Sequence, residues 1–108
     1  MSDYLKKAEL AIKYLYESEG EYARLKGLIK LIPERMKIMK ASLIMESEEK
    51  SATAKQTWAE GHKDFEMTVD SCEKSYEDFY LIEAKRARAE LTIEMYRSIN
   101  SAMKRGNI

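Results

Sequence analysis

Apolar residues in the first part of the chain recur at alternating steps of three and four, through Leu5, Ala8, Ile12, Leu15, Tyr22, Leu25, Ile29, Ile32, Met36, Met39 and Leu43. That spacing holds them on one face of a helix and predicts a long helix over about residues 3–48. Glu19 is the one charged member of the series, and the two steps of three that follow it mark a local stammer beside Gly20, where the helix is expected to bend. Pro33 removes one backbone hydrogen bond and should kink the helix. The stripe nevertheless stays in phase through Met36, Met39 and Leu43, which favours a kink over a turn.

The polar stretch from Glu46 to Lys50 interrupts the pattern, and Ser51 then suits the cap of a short helix over about 51–61 that Gly61 would end. Beyond it the stripe resumes at Phe65, Val69, Cys72, Tyr76, Phe79, Ile82, Ala89, Ile93, Tyr96, Ile99 and Met103, with Arg86 as its charged interruption. This predicts a second long helix over about 63–105. Strand-like alternation and hairpin-turn dipeptides are absent. The expected fold is all-α: a long antiparallel helical hairpin with a kinked first helix, a short helical bend and a long second helix.

Charge placement supports folding the two helices against each other. In one antiparallel register Glu9 faces Arg97, Glu17 faces Arg88, Glu21 faces Lys85 and Lys40 faces Glu66, and the two charged stripe members, Glu19 and Arg86, are expected to form an ion pair inside the seam. Residues 24 to 40 carry six bases and one acid, whereas residues 59 to 83 carry eight acids and two bases. The basic segment therefore has two readings, pairing with the acidic helix or tracking a phosphate backbone. Further apolar residues lie off the main seam, including Tyr4, Leu10 and Tyr14. Two helices cannot cover them all, so Leu28, Leu31, Ile38, Leu81, Leu91 and Met95 are expected to make contacts between copies in an oligomeric bundle.

At 108 residues there is room for a single domain, residues 1–108, with a modest core. Charged residues make up 35% and hydrophobic ones 44%, a balance that fits long helices with solvated faces. No stretch is long and apolar enough to span a bilayer, and the start of the chain lacks the apolar core of a secretory signal, so a cytoplasmic location is expected. Cys72 is the one cysteine and falls within the apolar periodicity, where a thiol behaves as a small buried hydrophobe. His62 is the one histidine and reads as a solvated bend residue. A metal site built from His62, Asp64 and Glu66 would be poor, because alternate residues diverge on a helix. The glycines are scattered and form no phosphate loop. No catalytic constellation, metal or cofactor is expected, and the chain does not read as an enzyme.

Trp58 lies near the middle of the chain, a layout similar to the WXG family of small secreted helical proteins, but Trp58-Ala59-Glu60-Gly61 has two residues between Trp and Gly in place of one. The carboxyl-terminal half gives the more useful comparison. Arg86-Ala87-Arg88-Ala89-Glu90-Leu91 and Met95-Tyr96-Arg97-Ser98, followed by Lys104-Arg105-Gly106-Asn107, resemble the end of small bacteriophage proteins associated with homologous recombination. The layout of long helix, short bend and long basic-ended helix is similar to the UvsY family of phage recombination mediators. That resemblance implies an oligomer that binds single-stranded DNA and works with a recombinase or a single-strand-binding protein.

Gathering several basic ends in one oligomer makes a strong polyanion site from a protomer of zero net charge, and the candidate residues are Lys85, Arg88, Arg97, Lys104 and Arg105. Tyr96 can stack on a base but sits in the apolar stripe, where core packing competes. The expected function is an oligomeric accessory protein of phage DNA recombination. Two alternatives stay open: an adaptor or inhibitor that offers its second apolar face to another protein, and a virion assembly component.

Overall fold

The computed structural model describes residues 2–106, with the side chain of Ser2 left aside; Asn107, part of the terminal pattern above, lies outside them. The described residues form three helices and no strand: α1 (Ser2–Glu46), α2 (Ala52–Glu60) and α3 (Lys63–Lys104). α1 runs unbroken through Pro33. It ends two residues sooner than expected, at a turn in which the Ser47 amide donates to the carbonyls of Leu43 and Ile44 and the Ser47 hydroxyl accepts from the Glu49 amide at 3.2 Å.

Local chemistry places the other boundaries. Ser51 stands outside α2 in an extended conformation and its hydroxyl accepts from the Ala54 amide at 3.0 Å, which satisfies one of the free donors of the first turn. Gly61 ends α2 with its amide bonded to Thr57. His62, expected to be solvated, is half-buried instead: its Nδ1 accepts from the Asp64 amide at 3.1 Å, so the side chain caps α3, and its ring lies tilted against Trp58 at 5.0 Å.

In α1 the buried and half-buried positions include Ala8, Ala11, Leu15, Ser18, Tyr22, Leu25, Ile29, Ile32, Met36, Met39 and Leu43, an unbroken alternation of three and four. Two expected seam members are therefore replaced. Ala11 takes the place of Ile12, and Ser18 takes the place of Glu19; Ile12 and Glu19 are exposed, and the stammer at Gly20 disappears. α3 answers with Thr68, Cys72, Ser75, Phe79, Ile82, Arg86, Ala89, Ile93, Tyr96 and Asn100. Cys72 is half-buried rather than buried.

The chain divides into two packed units, one holding the residues up to Ala23 with those from Tyr80 onward, the other holding Arg24–Phe79. In the first unit the buried seam residues are Ala8, Ala11 and Ala89. Side chains this small let two helix backbones approach, and Arg86 reaches across: its Nη1 donates to the Leu15 carbonyl at 2.8 Å and to the Ser18 hydroxyl at 2.7 Å, and its guanidinium lies 4.8 Å from the centre of the Tyr22 ring. The expected seam ion pair with Glu19 is corrected accordingly. Glu19 and Arg86 line one shallow groove, but the guanidinium spends its donors on a carbonyl and a hydroxyl that are already on the seam.

In the second unit the buried apolar residues are Leu25, Ile32, Leu43, Ala59 and Phe79. The Cys72 thiol lies 3.7 Å from the Met36 sulfur, and Lys40 pairs with Glu60 at 2.7 Å where Glu66 had been expected. Elsewhere charges find partners one turn away on their own helix: Glu17 with Lys13, and Arg97 with Glu94. Lys74 pairs likewise with Asp78 at 3.0 Å, and that bond holds its ammonium pKa above the usual lysine value. Partners three or four residues apart meet without any help from tertiary register, so they capture exposed charges first.

Candidate functional site

The first unit carries an open groove of about 450 Å³ between α1 and α3, lined by Lys7, Leu10, Ala11, Tyr14, Lys85, Arg88, Ala89 and Thr92. Its construction follows from helix periodicity. On α1, Lys7, Leu10 and Tyr14 are spaced by three and four, and on α3, Lys85, Arg88 and Thr92 are spaced the same way, so each helix presents one flank to the groove. Ala11 and Ala89, both buried and carrying only methyl groups, stand between those flanks. The walls carry three cations and no carboxylate.

The lining combines long cationic side chains with an aromatic ring and a leucine. Lysine and arginine stems lie along apolar surface while their charged ends reach outward, so the groove offers apolar surface between charged rims. Such a site attracts phosphate oxygens or carboxylates at the rim and accepts a flat or aliphatic group against Leu10 and Tyr14. Thr92 already donates its hydroxyl to the Arg88 carbonyl at 3.0 Å, which leaves it a minor contributor.

Of the five basic residues singled out in the sequence, the groove gathers two, Lys85 and Arg88. Arg97 is bonded to Glu94 at 3.1 Å, which offsets its charge locally. Lys104 closes α3 and Arg105 follows in the terminal turn, both exposed and neither in the groove lining. Lys7 and Tyr14 complete the groove and were not among the candidates. The available signal was their three-and-four spacing with Leu10, but nothing in the sequence says which flank of α1 meets which flank of α3.

The residues expected between copies are mostly exposed. Leu31 is 51% accessible, Ile38 65%, Leu81 55%, Leu91 66% and Met95 58%, while Leu28 is half-buried on the wall of a groove in the second unit. Among the described residues no large side chain is fully buried, no cluster of His, Cys, Asp and Glu is arranged to hold a metal ion, and no helix is long and apolar enough to cross a membrane. Neither a protein-family model, nor a curated protein, nor a solved structure matches this chain.

Proposed function

We propose that this chain is a non-catalytic, self-associating helical protein that binds single-stranded DNA, as an accessory of phage-type recombination alongside a recombinase or a single-strand-binding protein. The observation that carries the reading is the first-unit groove, where Lys7, Lys85 and Arg88 stand around Leu10 and Tyr14 with no carboxylate among the lining residues. Cations position a phosphate backbone without reading sequence, and an aromatic face accepts any base. The recombination setting rests on the resemblance of layout and of the basic carboxyl-terminal pattern. Self-association is supported by the exposed apolar side chains, and it multiplies a weak polyanion site into a strong one.

Fluorescence anisotropy with a short labelled single strand tests this. Binding at low salt that weakens steeply as salt rises is expected, and Lys85→Ala with Arg88→Ala should flatten the dependence by roughly 1.4 in the log–log slope, for two phosphate contacts on a single strand. Absence of binding at low salt would overturn the nucleic-acid reading. The protein-binding alternative is favoured by the same exposed leucines and methionines, which fit the apolar face of a partner helix as well as they fit another copy.

A further inference from the structure

Within each unit, one helix segment is basic and the other acidic. In the second unit, residues 24–46 of α1 carry six bases and two acids, and residues 63–79 of α3 carry six acids and two bases. The order is reversed in the first unit, where residues 3–23 carry five acids and three bases and residues 80–106 carry six bases and three acids. Opposite charge on the two helices of a pair constrains how a second pair can lie on it.

The second unit also exposes an apolar flank. Leu28, Leu31, Arg35 and Ile38 follow one another at three and four along α1, and Met67 stands on α3 at the rim of the groove that Leu28 and Arg35 help to line. Leu31, Ile38 and Met67 are 51%, 65% and 59% accessible. The chain as a whole exposes 8225 Å², against about 6200 Å² for a typical monomer of 12.6 kDa, and the difference of about 2000 Å² per chain, about 4000 Å² for a pair, falls within the range that obligate dimer interfaces bury.

We infer that a second copy of this chain covers the second-unit flank, with α1 of each copy lying on α3 of the other, so that basic and acidic helices alternate around a four-helix arrangement. The inference rests on the self-association reading above and adds the arrangement. With second unit laid on second unit, stacking α1 on α1 would bring basic segment against basic segment and acidic against acidic, so like charges disfavour that geometry and unlike charges select the other. A two-fold axis along the bundle repeats between copies the offset that exists within one, where Met36 adjoins Cys72. At that offset Ile38 of one copy is level with residue 70 of the other, which leaves Met67 less than one turn away, about 4.5 Å along the axis.

The test uses the full chain with Cys72→Ser, so that the only thiols are those introduced. Chains carrying Ile38→Cys and chains carrying Met67→Cys, distinguished by a size tag, are mixed and mildly oxidised, and the mixed disulfide is expected to dominate. Light scattering of the unmodified protein should give twice the 12.6 kDa chain mass or an even multiple of it. Ile38→Asp should halve that mass with helicity retained, since Ile38 is exposed within its own chain. A dominant Ile38→Cys homodimer would overturn the arrangement and leave self-association standing. A mass of one chain would overturn both, and an odd multiple would overturn the two-fold arrangement alone.

Discussion

Arg86 shows how one side chain organises a seam. Placed among apolar neighbours, it would ordinarily demand a carboxylate, yet it is satisfied by the Leu15 carbonyl, the Ser18 hydroxyl and the face of Tyr22. Arg86→Ala should lower unfolding free energy by about 1–3 kcal/mol, because it removes hydrogen bonds from a charged donor together with the ring contact. Ser18→Ala should cost about 1 kcal/mol, and the pair should couple in a double-mutant cycle by about 1 kcal/mol in urea titrations at fixed protein concentration. Glu19→Ala should stay within about 0.5 kcal/mol of the parent protein, the result that separates this geometry from an ion pair. At the bend, His62→Ala should cost about 0.5–1 kcal/mol through loss of the α3 cap and alter Trp58 fluorescence, while His62→Asn, which keeps a short acceptor, should recover most of the stability.

At the scale of elements, α1 holds together across Gly20, Gly27 and Pro33, all unfavourable within a helix. Neither Gly20 nor Gly27 has an atom within 4 Å of the position a Cβ would take, and neither has a positive φ. Their cost is entropic. Gly20→Ala and Gly27→Ala should each raise stability by about 0.5–1 kcal/mol, read as a higher urea midpoint with unchanged circular dichroism. Helix periodicity explains why an expected charge pair between the helices was replaced: Glu9, next to the buried Ala8, is itself exposed, and Arg97 meets Glu94 one turn away. A side chain's distance from the seam decides its partner before its charge does.

For the whole molecule, the narrow seams leave much apolar surface uncovered, and stability should depend on concentration. Raising protein concentration tenfold should raise the thermal midpoint by several degrees, because association stabilises only the folded chain, whereas Ile38→Asp should abolish that dependence. Circular dichroism melts at two concentrations check it.

The helical class, the two long stripes, the Ser51 cap, the stop at Gly61 and the surplus of off-seam apolar residues were all legible in the sequence, because each depends on neighbours within a turn or two. The seam between α1 and α3 in the first unit was not. Apolar character selected Ile12 and the spacing then carried the stripe through Glu19, whereas the packed helices chose Ala11 and Ser18, since close approach rewards small side chains over large ones. Only that choice of flank brings Lys7 and Tyr14 beside Lys85 and Arg88. Periodicity fixes which residues share a face of one helix, but the rotation of one helix about its axis relative to another is settled by side-chain volume at the contact, which is a property of the pair.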